Sequence, residues 1–246
     1  VDCETMFAAK RLLAALGSSL TESRQTGMAY PTDNLAAVNF NSTLAGIENA
    51  DAILIVGSHA RWEARLPNVR LRKAAKKGAK VFVVGPHWET TYPAEFLGDD
   101  AAVLHDLPGH VGEAFAAAER PAVIVGAGGL VAGTLDPVLA LAESWNLVRD
   151  GWNGFNVLHM AAARMGSLML GFAQKGGMAD LVNAQPKLVL ALGADEVDFS
   201  AFANSLKVYI GHHGDKGAHA ADIILPAGRS TAKAGTYVAL GGRGQF

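Results

Sequence analysis

Cys3 is the only cysteine among 246 residues, and that scarcity excludes two things at once. No disulfide framework can form within the chain. No cluster held by four cysteine thiolates can be built from it either. So few thiols also fit a reducing compartment. Aromatic residues are sparse at 7% and the formal net charge is only -2. Neither a base-stacking surface nor a global attraction for nucleic acid is therefore expected. No run of about 18 or more apolar residues occurs, so no membrane-spanning helix and no direct membrane insertion are predicted. Val1-Asp2-Cys3-Glu4 lacks the basic and apolar regions of a signal peptide. Neither end reads like the edge of a domain, which predicts a piece of a longer chain.

What is present is an ordinary globular composition, 50% hydrophobic and 18% charged. Its most informative pattern recurs: a short aliphatic run stops at a glycine. Ala52 to Val56 stops at Gly57, Val81 to Val84 at Gly85, and Ala122 to Val125 at Gly126. Leu188 to Leu192 stops at Gly193, and Val208 to Ile210 at Gly211. Continuous apolar runs of this length suit strands buried on both faces of a parallel sheet. Helical patterns lie between them, over Glu4 to Leu16, Leu66 to Lys77, Leu135 to Leu147 and Val157 to Leu170. Lys73, Lys76 and Lys77 before Gly78 form a well-signalled helix end. The alternation predicts an α/β fold of two Rossmann-like lobes with mostly parallel sheets. The lobes are expected over 1–113 and 114–246.

Ligands of an open parallel sheet sit beyond the carboxyl ends of its strands. Those ends are Gly57-Ser58-His59, Gly85-Pro86-His87, Gly126-Ala127-Gly128-Gly129, Gly193-Ala194-Asp195 and Gly211-His212-His213. Their small residues let backbone N–H groups approach a phosphate, and turn geometry alone also calls for glycine there. Gly126 to Val131 begins like the dinucleotide fingerprint but has Val131 in the place of the third glycine. His212, His213, Asp215, His219 and Asp222 are dense, yet their spacing fits no established zinc or di-iron pattern, so no metal is assigned. No G-x-S-x-G occurs and no triad assembles, so no catalytic residue is assigned. Met160, Met165 and Met169 read as core filler. Arg61 to Lys80 holds eight basic residues against Glu63 alone. That is a solvated face or a docking surface for a partner or an anion.

Several segments together resemble the large iron–sulfur subunit of respiratory complex I. They are Phe40-Asn41-Ser42-Thr43-Leu44-Ala45-Gly46-Ile47-Glu48, Gly57-Ser58-His59-Ala60-Arg61-Trp62-Glu63, Gly154-Phe155-Asn156-Val157-Leu158-His159 and Gly211-His212-His213-Gly214-Asp215-Lys216-Gly217. Ala221-Asp222-Ile223-Ile224-Leu225-Pro226 and Thr236-Tyr237-Val238 extend the match over nearly the whole chain.

The resemblance implies the molybdopterin oxidoreductase fold of formate dehydrogenases and DMSO reductases, whose strand-exit loops hold guanine dinucleotides. It places Gly57, Ser58, His59, Gly85, Gly193, Gly211 and His212 at those loops. His59 and Ala60 stand where the family has asparagine and proline, and Gly85-Pro86-His87 where it has aspartate-proline-arginine. These departures imply loops that no longer grip a cofactor. The resemblance thus implies a scaffold without a cofactor of its own. It would lie in a peripheral arm facing the cytoplasm or the mitochondrial matrix, among the arm's other subunits, with iron–sulfur clusters in a cysteine-rich region elsewhere in the parent. The parent would pass electrons from NADH to quinone and pump protons. The alternative is part of an active molybdenum or tungsten oxidoreductase such as a formate dehydrogenase.

Overall fold

The computed structural model describes residues 1–25, 27–131 and 134–246. The first half of the chain runs α1 (Cys3–Ala15), β1 (Ala52–Val56), α2 (Ala60–Glu63), α3 (Arg65–Lys76), β2 (Lys80–Val84), β3 (Glu95–Gly98), α4 (Gly109–Ala117) and β4 (Pro121–Val125). The second half runs α5 (Leu135–Ser144), β5 (Val148–Arg149), β6 (Trp152–Asn153), β7 (Phe155–Val157), α6 (Arg164–Met169), α7 (Gly177–Asn183), β8 (Leu188–Leu192), β9 (Leu206–Gly211), α8 (Lys216–Ala220), β10 (Ile223–Pro226), β11 (Tyr237–Val238) and β12 (Gly244–Gln245).

The chain forms two units. One takes Val1–Met28, Ala162–Val238 and Gly244–Phe246, and the other Ala29–Ala161 and Ala239–Arg243. The boundary expected between 113 and 114 is therefore corrected. It would separate β1 from β4, which pair in parallel from Ala52↔Pro121 to Val56↔Val125. Linear runs of apolar residues show that strands exist, not which of them are neighbours.

The unit built on 29–161 contains a five-stranded parallel sheet of order β3-β2-β1-β4-β7. The chain moves outward from β1 through β2 to β3, then returns to place β4 on the other side of β1. The strand order thus reverses between β1 and β4, the place where such sheets open a crevice. β1 and β4 are buried along their whole length, as the aliphatic runs predict. Ile53, Ile55, Val83 and Ile124 pack with Leu71 and Ala74 of α3 in one core cluster. Each of the fully buried Ile, Val and Leu side chains contributes about 1.5–3 kcal/mol. α3 ends as expected, with Lys73 and Lys76 in its last turn.

The helix expected over Val157 to Leu170 is corrected too. Phe155–Val157 is the fifth strand, hydrogen-bonded to β4, and helix begins only at Arg164. Of the three methionines read as core, Met165 is buried, whereas Met160 and Met169 are exposed.

The other unit holds a three-stranded parallel sheet of order β10-β9-β8. α1 belongs to it, starting one residue before its expected position, with the Asp2 side chain accepting from Thr5 N–H at 2.8 Å. Here the apolar runs are less well covered: Ile223, Ile224 and Leu225 of the edge strand β10 are all exposed. β5 with β6 and β11 with β12 form two-stranded antiparallel pairs.

Among the described residues, no helix is long and apolar enough to cross a membrane.

Candidate functional site

The exits of β1, β2 and β4 meet at the switch point of the five-stranded sheet. Gly57 turns out of β1 at φ +59°, and its N–H donates to Val84 O at 2.8 Å. Gly85 N–H donates to Gly98 O at 2.8 Å. After β4, Gly126 N–H donates to Val56 O at 2.9 Å and Gly128 N–H to Gly57 O at 2.8 Å. The segment Ala127–Leu130 is a 3-10 turn lying directly on Gly57. A Cβ on Gly57 would come within 2.8 Å of Gly129 Cα and closer still to its nitrogen. The fingerprint-like glycines thus close against the first loop instead of opening a helix toward a ligand.

Glu63 completes this closure. Its carboxylate accepts from Ser58 Oγ at 3.1 Å and His59 N–H at 3.0 Å, and from Ala127 N–H at 3.3 Å. These are the groups that a phosphate would use, and a side chain of the protein holds them. His59 stacks on Trp88 with ring centroids 4.7 Å apart, and His87 lies 4.4 Å from Phe96. Buried His59 Nδ1 and Trp88 Nε1 have no hydrogen-bond partner among the described residues. The structure therefore brings Gly57, Ser58, His59 and Gly85 together. It adds Glu63, Ala127, Gly128 and Trp88 to them. The signal for Glu63 was its isolation as an acid in a basic stretch.

Gly193, Gly211 and His212 lie in the three-stranded unit. Gly193 N–H donates to Ile210 O at 2.8 Å, which ties the β8 exit to β9. Asp195 repeats the role of Glu63: it accepts from Tyr209 Oη at 3.0 Å and from Gly217 N–H at 3.1 Å. Both Gly211 and Gly217 pack on the Tyr209 ring. The His212 and His213 rings lie 4.2 Å apart on exposed loop. Asp222 is drawn away from them, accepting from Lys207 N–H at 2.8 Å and pairing with its ammonium at 3.2 Å. Those contacts hold its carboxyl below the usual range. His219 Nδ1 lies 3.0 Å from the Asp215 carbonyl. Among the described residues, no three His, Cys, Asp or Glu side chains are grouped to hold a metal.

Burial first, and then the Asp195 carboxylate, push the Tyr209 phenol from 10.0 up to about 12. Between those values the folded state keeps a proton that the unfolded state has lost, so stability falls as pH rises. In urea unfolding from pH 8 to 11.5, the midpoint is expected to drop steeply above pH 10. Tyr209→Phe is expected to flatten that drop. Equal slopes would contradict the assignment.

The whole chain, residues 1–246, matches the family model for molybdopterin oxidoreductase. Among curated proteins it is 38% identical to the mitochondrial NADH-ubiquinone oxidoreductase 78 kDa subunit of Neurospora crassa, with 100% of this chain and 34% of that protein aligned. It is 36% identical to an NADH-quinone oxidoreductase subunit of Rickettsia prowazekii, over 100% of this chain and 37% of that protein. It is 37% identical to the mitochondrial NADH dehydrogenase [ubiquinone] iron-sulfur protein 1 of Solanum tuberosum, over 96% of this chain and 33% of that protein. The chain thus spans about a third of the length of the relatives it matches. Among solved structures, it shares its fold with a chain of the formyltransferase/hydrolase complex from Methylorubrum extorquens, solved with methylofuran. The TM-score is 0.65 at 15% identity, covering 98% of this chain and 81% of that one.

Proposed function

The chain belongs to the molybdopterin oxidoreductase family, and from that premise we propose that it is a cofactor-free α/β scaffold within the large iron–sulfur subunit of an NADH:quinone oxidoreductase. Its relatives at 36–38% identity carry that complex's name. The observation that carries the cofactor-free reading is Glu63. A guanine dinucleotide needs free N–H donors and no competing anion at the strand exits. Here the exit N–H groups of Gly57, Gly85, Gly126 and Gly128 bond within the fold, and a carboxylate holds Ser58, His59 and Ala127. The residues present do not fit the family's cofactor at this place. Displacing Glu63 would leave a part-buried charge to be rehoused, at a cost of about 1–3 kcal/mol or more.

In this reading the parent passes electrons from NADH to quinone through iron–sulfur clusters held outside these residues, coupled to proton translocation. The scaffold lies in the peripheral arm, on the cytoplasmic or matrix side, against the other subunits of that arm. It performs no chemistry alone. Family membership alone would also accommodate an active molybdenum or tungsten enzyme, and the self-occupied exits stand against it.

The first test is ligand binding. Millimolar GDP is expected to leave the melting temperature unchanged within about 1 °C. A ligand at 100 times its Kd would add about 2.7 kcal/mol, which amounts to several degrees for a domain of this size. A saturable upward shift with GDP would contradict the closed-exit reading.

A further inference from the structure

The basic stretch after β1 has two faces. Pro67, Asn68, Leu71 and Ala74 of α3 are buried against the five-stranded sheet unit. The outer face exposes Leu66 at 69% and Val69 at 53%, with Trp62 of α2 beside them at 67%. The Arg65 guanidinium lies 5.9 Å from the Trp62 ring centroid and links the two helices at the surface. Around this strip stand the exposed cations Arg61, Arg65, Arg72, Lys73, Lys76 and Lys77. The only acid of the stretch, Glu63, is turned inward to Ser58 and the loop N–H groups. A face that needed only solvation would not present a tryptophan and two aliphatic side chains together. Exposed tryptophan and arginine side by side are the residue types that dominate binding energy at protein interfaces.

We propose that this face docks an amphipathic segment of a partner protein whose acidic side chains meet the cationic rim and whose apolar side chains cover Trp62, Leu66 and Val69. Charge complementarity selects this occupant. The same two helices already gather carboxylates: Glu48 pairs with both Arg70 and Lys73, and Arg61 stands 3.5 Å from Glu89. Among the described residues, Arg65, Arg72, Lys76 and Lys77 have no such carboxylate partner. The edge strand β10 also exposes Ile223, Ile224 and Leu225, but Asp222 beside it is already paired with Lys207. The proposal rests on the scaffold reading for the existence of a partner, and on the surface itself for the partner's chemistry.

The test uses the full-length parent purified with its associated subunits, with a photoreactive phenylalanine placed at position 66. Irradiation is expected to join it to one peptide of another subunit that combines acidic and apolar residues. Arg65→Glu with Arg72→Glu should lower that yield about tenfold or more, and lysine at the partner's acids should restore it. Both arginines are exposed, so the melting temperature should stay within about 2 °C. Crosslinks to the parent's own chain, crosslinks to lipid, no crosslink, or a yield indifferent to charge reversal would each overturn the proposal. Molybdenum in the same preparation would overturn the scaffold reading while leaving a positive crosslink standing.

Discussion

Gly57→Ala is expected to cost about 2–5 kcal/mol and to unfold the five-stranded unit well before the wild type. Two effects add. At φ +59° any residue with a Cβ carries about 1–2 kcal/mol of left-handed strain. The new methyl group would also strike the Gly128–Gly129 backbone, which has no rotamer with which to yield. Overpacking of this kind costs about 1–3 kcal/mol. Net stabilities of domains are only about 5–15 kcal/mol, so the midpoint in urea should fall by about 1 M or more. Gly151→Ala is the control. Gly151 lies in the same unit with φ +70° and nothing within 4 Å of its Cβ position, so it reports left-handed strain without collision. If both variants lost the same stability, the close approach of the two loops would carry no weight, and the closed-exit account would lose its steric half.

Asn156→Ala is the second large loss, about 3–5 kcal/mol. Asn156 is fully buried on β7. Its amide donates to Ser42 Oγ at 3.0 Å, Gly154 O at 3.0 Å and Val123 O at 3.3 Å, and it accepts from Ser42 N–H at 2.9 Å. Around it, Ser42 Oγ donates to Asn153 O at 2.8 Å and Asn41 Nδ2 to Phe155 O at 2.6 Å. One side chain thus straps the 40–43 segment across the outer strand of the sheet. Alanine would leave the Ser42 N–H buried without that acceptor, and unsatisfied buried groups cost about 1–3 kcal/mol each. Hydrogen exchange at Ser42 should accelerate by orders of magnitude. Asn156→Asp should be no better, because a carboxylate oxygen cannot donate to the Val123 and Gly154 carbonyls. A stable Asn156→Ala variant with a protected Ser42 amide would contradict this network.

Asn156 also shows what a linear reading can reach. The segments Phe40 to Glu48 and Gly154 to His159 both entered the family resemblance, and in the structure Asn156 binds one to the other. The strands ending at Gly57, Gly85, Gly126, Gly193 and Gly211 were legible because aliphatic runs with glycine stops are what buried parallel strands require. Phe155–Val157 was not, because a polar residue in its centre breaks the run, and only tertiary hydrogen bonding makes that polar residue a core residue. Glu95–Gly98 was missed for a related reason: it is a short, half-exposed edge strand with no β-branched residue. At the site, the glycines could be named from sequence, but the occupant of their N–H groups could not. Glu63 reaches Ala127, which lies 64 positions away, only because β1 and β4 are neighbours in the sheet.

Metal content of the full-length parent, measured by plasma mass spectrometry on the purified protein, tests the central claim most directly. A self-occupied scaffold in an iron–sulfur subunit predicts iron with molybdenum and tungsten at background. Stoichiometric molybdenum or tungsten would contradict it, and the exits at Gly57, Gly85, Gly193 and Gly211 would then have to open to hold a working cofactor.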